Sequence, residues 1–185
     1  MRTAPPPQEI GHEPDWMARA RPSAVLVPVF EEDGEAWMLF TRRAQHLRNH
    51  RGEVSFPGGR QDEGETLLET ALREAREEIG LYASDVEVLG ELDHIMTFSS
   101  QTAIVPFVGA LPGRPLDLKP NPDEVELVLT LPVRELLHAD TFHEEVWNFL
   151  GGERPMMFFD VVGDTIWGAT ARILYGLLSL ITASP

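Results

Sequence analysis

The sequence predicts an α/β fold, an α/β/α sandwich with a mixed central sheet. Apolar runs of strand length alternate along the chain with two longer segments of helical periodicity, one central and one C-terminal. The 185 residues, 43% of them hydrophobic, suffice for one domain with a sizeable core. Because the sequence shows no internal repeat and no linker, we expect a proline-rich N-terminal arm over residues 1–22 and a single domain over residues 23–185.

Short apolar segments predict eight strands, over residues 23–30, 37–41, 54–56, 86–92, 95–98, 103–110, 125–131 and 156–161. The turn signal Asp33-Gly34 joins the first two strands in a hairpin. Residues 44–53 are polar and indicate a functional loop, whereas the four prolines of 111–123 indicate a surface loop. A short helix is expected over 133–137 and an amphipathic helix over 169–181.

The central helix has clear start and stop signals. Thr66 is a good N-cap, and Glu69, three residues later, completes a capping box. Gly80 follows the last apolar residue, where a left-handed C-terminal cap favours glycine. One apolar stripe is expected to face the core, formed by Leu68, Ala71, Leu72, Ala75 and Ile79.

The same helix carries an acidic cluster near its C-terminal end. Glu74, Glu77 and Glu78 are three or four residues apart, so their side chains are neighbours. Like charges at this spacing repel, and the helix dipole disfavours them at this end. A hard divalent cation such as Mg²⁺ or Mn²⁺ would relieve both effects. The alternative is a solvated acidic face whose charge is offset by Arg73 and Arg76.

The charge distribution favours the interpretation of the acidic cluster as a cation site. A formal charge of −15 argues against a nucleic-acid duplex as partner. Five arginines nevertheless fall within 19 positions just before the helix, namely Arg42, Arg43, Arg48, Arg51 and Arg60. Cations for phosphates beside carboxylates for metal are typical of a pyrophosphate-cleaving site. There is no apolar run long enough to span a membrane, no secretory signal and no cysteine, and we therefore expect a cytoplasmic protein without a membrane partner.

The stretch 59–81 resembles the 23-residue signature of the Nudix hydrolases. Its fixed positions are Gly59, then Glu65, then the run Arg73-Glu74-Ala75-Arg76-Glu77-Glu78-Ile79-Gly80-Leu81, with the small Ala75 where a larger aliphatic residue is usual. The resemblance implies an α/β/α fold and metal-dependent hydrolysis of a nucleoside diphosphate linked to another group.

The resemblance also implies roles for the site residues. Glu74 and Glu78 are expected to bind Mg²⁺ or Mn²⁺, with Glu77 as a further ligand or as the base for the attacking water. Arg73 is expected to hold a glutamate of the cluster in place. Gly58 and Gly59 are expected to let the backbone approach the metal, where a carbonyl is a candidate ligand. The base could instead come from outside the motif, and Glu124 is the candidate.

A second motif lies immediately upstream. Leu39-Phe40-Thr41-Arg42-Arg43-Ala44, followed by Arg48, Gly52 and Phe56-Pro57-Gly58-Gly59, is similar to the extra motif of the coenzyme A pyrophosphatase branch of the Nudix family, and departs from it only at Phe40. The segments 121–125 and 166–171 look like later landmarks of that branch.

This resemblance implies hydrolysis of coenzyme A to 3′,5′-ADP and 4′-phosphopantetheine. Arg43 and Arg48 would bind its phosphates, and Gly58 and Gly59 would line the site. Two alternatives remain open: a Nudix hydrolase of another nucleoside-diphosphate derivative, such as an ADP-sugar or dinucleotide, and a non-catalytic nucleotide-binding module. Family members occur as monomers and homodimers, and either state is expected here.

Overall fold

The computed structural model describes residues 20–97, 101–149 and 152–183. Its strands are β1 (Arg21–Glu32), β2 (Glu35–Arg43), β3 (Val54–Ser55), β4 (Gly58–Arg60), β5 (Glu87–Glu91), β6 (Ile95–Thr97), β7 (Thr102–Ala110), β8 (Val125–Pro132), β9 (Phe142–Phe149), β10 (Gly152–Val161) and β11 (Asp164–Trp167). Its helices are α1 (Leu67–Ile79), α2 (Val133–Leu136) and α3 (Gly168–Ala183), and Ala83–Asp85 form one 3₁₀ turn.

The central sheet is mixed, as predicted. Strand β1 runs parallel to β7, from the pair Arg21–Thr102 to the pair Val29–Ala110. On its other side β1 pairs antiparallel with β2 near the hairpin and with β4 near its start. Strand β8 pairs antiparallel with β2, while β5 and β6 pair antiparallel with β7. Strand β1 therefore pairs with β2 at its C-terminal end, next to the hairpin, and with β4 along its N-terminal part.

The two helices cover opposite faces of this sheet. Successive residues of a strand point to opposite faces, so Ala24 and Leu26 of β1 pack with α1, and Val27 packs in a second cluster with α3. The α1 cluster includes Ala71, Ala75 and Ile79, and the α3 cluster includes Ile173, Leu174 and Leu178. The predicted α/β/α sandwich with a mixed central sheet is confirmed.

A second sheet, which was not predicted as a unit, lies on the α3 side. Strands β9, β10 and β11 pair antiparallel in the order β11-β10-β9. Only residues 156–161 of this sheet were predicted to be a strand. Most of the described side chains of β9 are exposed, so its sequence lacks the apolar alternation that identifies a strand.

The structure contains a short strand after Pro57 that was not predicted, whereas the predicted strand over 54–56 is present as β3 and ends at Ser55. Gly58 and Gly59 belong to β4 and pair with Val25 and Ala24 of β1. A Cβ atom on Gly58 would overlap the Ala24 carbonyl oxygen and the Val25 backbone. The absence of a side chain is what lets β4 approach β1 so closely.

The remaining boundaries agree closely with the sequence. The capping box of α1 is present: Glu69 N donates to Thr66 Oγ1 (3.2 Å), and Thr66 N donates to Glu69 Oε2 (2.7 Å). Gly80 adopts the left-handed conformation with φ 72°. The last two residues of the predicted arm belong to β1, and residues 1–19 of that arm lie outside the described residues, as does residue 98 at the end of the strand predicted over 95–98. None of the helices described is long and apolar enough to cross a membrane.

Candidate active site

The three glutamates of α1 have very different surroundings. The side chain of Glu78 is 4% exposed, that of Glu74 is 15% exposed and that of Glu77 is 56% exposed. Glu78 and Glu74 face the β4 backbone, whereas Glu77 faces solvent. The predicted cluster is therefore a buried pair of carboxylates with a third carboxylate at its rim.

Glu78 is the most buried acid of the site. Gly58 N donates to its Oε2 at 3.3 Å, and Arg43 Nη1 lies 3.9 Å from its Oε1. Burial raises the pKa of Glu78 to about 8, against the opposing effect of Arg43, and the negative charges of Glu74 and Glu124 raise it further. Around Glu78, burial and the two neighbouring carboxylates therefore outweigh the guanidinium of Arg43.

Glu74 is packed against the second glycine of β4. A Cβ atom on Gly59 would overlap the carboxyl group of Glu74. Burial raises the pKa of Glu74, Arg73 lowers it, and Glu77 and Glu124 raise it again. A glycine is thus required at position 59 to leave room for this carboxylate.

Arg73 joins three carboxylates of the site through hydrogen bonds. Its Nε donates to Glu65 Oε1 at 2.7 Å, and its Nη1 donates to Glu74 Oε1 at 3.0 Å and to Glu77 Oε2 at 2.9 Å. Its Nη2 donates to the Arg60 carbonyl oxygen at 3.0 Å. The hydrogen bond from Arg73 lowers the pKa of Glu65 to about 2. These contacts give Glu65, whose role the sequence left open, the function of fixing Arg73.

A proline-rich loop brings Glu124 to the same place. Lys119 N and Asn121 N donate to the carbonyl oxygens of Ile79 and Glu78, both at 2.8 Å, and so satisfy the C-terminal end of α1. Ala44 N then donates to the Glu124 carbonyl oxygen at 2.9 Å. The half-buried Glu124 side chain lies close enough to raise the pKa of both buried glutamates.

The arginines upstream of α1 fall into three environments. Arg43 points toward Glu78, whereas Arg42, its neighbour on β2, points to the opposite face and binds Asp164. Arg48 is exposed, and within the described part of the chain it has no hydrogen bond or ion pair. Of the two arginines predicted to bind substrate, Arg43 therefore lies at the acidic site and Arg48 lies in the loop beside it.

The donor set suits a hard divalent cation. Glu74, Glu78 and Glu124 supply carboxylate oxygens, the donors that Mg²⁺ and Mn²⁺ prefer, and their mutual repulsion would be relieved by a bound cation. Within the described residues, no three acidic or histidine side chains are yet gathered around one point. Arg73 Nη1 donates to both Glu74 and Glu77.

Comparisons with known proteins identify the family of the chain. The family model of the NUDIX domain matches residues 20–153. The chain is 35% identical over 178 residues to NudL of Yersinia pestis, an uncharacterized Nudix hydrolase, covering 96% of this chain and 88% of NudL. It is 46% identical over 116 residues to Nudix hydrolase 3 of Caenorhabditis elegans, covering 62% of this chain and about half, 48%, of that relative.

A solved structure shows the same fold. The MutT/nudix family protein from Enterococcus faecalis superposes with a TM-score of 0.60 over 95% of this chain and 66% of its own chain, at 15% sequence identity. This similarity extends beyond the segment matched by the family model and includes the region of β10, β11 and α3.

Proposed function

Since this chain belongs to the Nudix hydrolase family, we propose that the nucleotide pyrophosphate it hydrolyses is coenzyme A, giving 3′,5′-ADP and 4′-phosphopantetheine. The observation that carries the proposal is the position of the upstream motif. Its arginine Arg43 lies 3.9 Å from Glu78, so one residue of the segment that distinguishes the coenzyme A branch lies at the acidic site.

The other motif residues have two kinds of surroundings. Phe56 stacks on Phe40 with ring centroids 4.6 Å apart, and Gly52 has φ 70°, so these positions are explained by folding. Arg48 has no such explanation, because it is exposed and unpaired within the described residues. An arginine that the fold does not use is available for a phosphate group, which it can bind in bidentate fashion.

The proposed mechanism assigns a task to each side chain of the site. Glu74 and Glu78 would hold Mg²⁺ or Mn²⁺, with Glu77 as a further ligand or as the base, and the cation would neutralise pyrophosphate oxygens and lower the pKa of the attacking water. Arg73 keeps Glu74 and Glu77 in position. Arg43 and Arg48 bind phosphate oxygens of the substrate.

The proton of the attacking water has two candidate acceptors. Glu77 lies at the open rim of the site, and Glu124 lies beside the two buried glutamates. Separate Glu77→Gln and Glu124→Gln variants distinguish them. Loss of the base lowers kcat by about a hundredfold or more even at saturating substrate and cation, whereas loss of a ligand is partly restored by additional cation.

Product analysis tests the substrate assignment. Coenzyme A, ADP-ribose and a nucleoside triphosphate are incubated separately with the protein in Mg²⁺, Mn²⁺ or chelator, and products are identified by liquid chromatography and mass spectrometry. We expect cation-dependent 3′,5′-ADP and 4′-phosphopantetheine to form faster than any other product. Faster cleavage of ADP-ribose would overturn the assignment, and tight binding of coenzyme A without cleavage would favour a binding module.

A pair of variants tests the role of the upstream motif. Arg48→Ala should raise the KM for coenzyme A about tenfold, since one charge-assisted phosphate contact is lost. Arg172→Ala, which removes an exposed arginine of α3, serves as the control and should leave KM unchanged. Equal KM values for the two variants would show that Arg48 does not contact the substrate.

A further inference from the structure

Arg42 is held by the C-terminal hairpin on the face of β2 opposite to the acidic site. Its Nη1 donates to both carboxylate oxygens of Asp164, at 3.2 Å and 3.1 Å. Asp164 is the first residue of β11 and its side chain is only 10% exposed. The Arg42 Nε is buried without a hydrogen-bond partner, so Asp164 is the main compensation for the charge of this guanidinium.

A third residue extends the contact to β8. Glu126 Oε1 lies 3.7 Å from Arg42 Nη2. Glu126 is the extra residue of a β-bulge, because Arg42 pairs with Leu127 and Arg43 pairs with Val125. Bulges redirect neighbouring side chains and commonly lie beside active sites. The cluster of Asp164, Arg42 and Glu126, here called the ionic clamp, therefore joins three strands at one point.

The ionic clamp lies where two strands enter the active site. One residue beyond Arg42, β2 places Arg43 beside Glu78. One residue before Val125, the chain places Glu124 beside the buried glutamates, and Ala44 N fixes its carbonyl oxygen. A change in the direction of Arg42 is passed to Arg43, because the two residues are adjacent on β2.

From this geometry we infer that Asp164 is a positioning residue for the hydrolase reaction, which acts through Arg42 to fix the direction of Arg43 at the substrate phosphates. Asp164 lies outside the 20–153 segment that matches the family model. A residue of the C-terminal hairpin thus tunes substrate binding without touching substrate. The inference rests on the proposed function only in that Arg43 contacts a phosphate of the substrate.

Steady-state kinetics of Asp164→Asn test the inference, using whichever nucleotide pyrophosphate the wild-type protein cleaves best. The amide preserves the shape of the side chain and removes its charge. We expect KM to rise about tenfold and kcat to change by less than about twofold, because Arg43 binds ground state and transition state alike. Asp164→Glu, which keeps the charge, should restore most of the lost affinity.

Asp160→Asn is the matched control. Asp160 lies on the same hairpin, where it accepts a hydrogen bond from Thr165 and pairs with His143 rather than with a residue of β2. Its loss should leave KM at the wild-type value. The double variant Arg42→Gln with Asp164→Asn should be no worse than the poorer single variant, since the two residues act as a unit.

Two outcomes would overturn the inference. One is a KM for Asp164→Asn equal to that of Asp160→Asn. The other is a loss of activity that disappears at temperatures well below the melting midpoint, which would assign the ionic clamp to stability alone. Neither outcome depends on coenzyme A being the substrate, whereas failure of the wild-type protein to cleave coenzyme A would overturn only the proposed function.

Discussion

Replacing Glu78 by glutamine should remove a large pH dependence from the stability of the metal-free protein. Burial raises the pKa of Glu78 in the folded state from 4.5 to about 8. Between pH 4.5 and about pH 8, Glu78 keeps its proton in the folded state, whereas the same side chain has released its proton in the unfolded chain. The unfolded state then binds fewer protons, so the free energy of unfolding falls as the pH rises from about 4.5 to about 8.

The size of the effect follows from the shift. One pKa unit corresponds to 1.36 kcal/mol, so the charged form of Glu78 lowers the free energy of unfolding by at most about 5 kcal/mol above pH 8. Glutamine carries no charge at any pH, and its side-chain oxygen can still accept from Gly58 N. The variant should therefore match the wild-type protein near pH 5 and be more stable near pH 9.

Urea unfolding in the presence of chelator measures this difference between about pH 5 and about pH 9. The control is Glu63→Gln, which removes one exposed carboxylate and so changes the net charge of −15 by the same amount. Its stability curve should run parallel to that of the wild-type protein. The reasoning would be refuted by a curve for Glu78→Gln that is also parallel to the wild-type curve.

Three further outcomes are expected. Gly59→Ala should lower kcat/KM at least about tenfold with little loss of stability, because the new Cβ displaces the movable carboxyl group of Glu74. The control is Gly113→Ala, whose new Cβ would have no atom within 4 Å. Equal activities of the two variants would contradict the prediction. Leu174→Ala should lower the free energy of unfolding in urea by about 2–5 kcal/mol, because Leu174 is fully buried. Leu180→Ala, at a position 60% exposed, should lower it by less than about 0.5 kcal/mol. Similar losses for the two variants would show that α3 does not stabilise the core. Chelator should abolish turnover and added Mg²⁺ should raise the melting temperature, since the cation binds the folded state; turnover that persists in chelator would exclude the proposed metal dependence.

The helix that bears the acids could be predicted because its signals are local. Thr66, Glu69 and Gly80 determine the ends of α1 through contacts within a few residues, and all three behave as predicted. The unequal exposure of its glutamates could not be predicted from spacing. That exposure depends on how α1 lies against β4, and the pairing of β4 with β1 brings together residues far apart in sequence.

The upstream arginines show the same division between local and distant information. Adjacent residues of a strand point to opposite faces, and Arg42 and Arg43 diverge because β2 continues to Arg43, two residues beyond the predicted strand. The partner of Arg42 is 122 residues away in the C-terminal hairpin, and no local pattern identifies it. Arg43 could be predicted at the site because it belongs to a local motif, whereas Asp164 could not be predicted because its contact joins distant parts of the chain.

The parallel pairing of β1 with β7 has a consequence for the order in which the protein can form. Residues 21–29 pair with residues 102–110, and α1 with its glutamates lies in the chain between them. This part of the candidate site is therefore complete only after a long loop of the chain has closed. A nascent chain that ends before residue 102 lacks the neighbour that β1 requires. Such non-local pairing slows folding. During synthesis the acidic helix therefore leaves the ribosome well before the sheet that buries Glu78 can assemble.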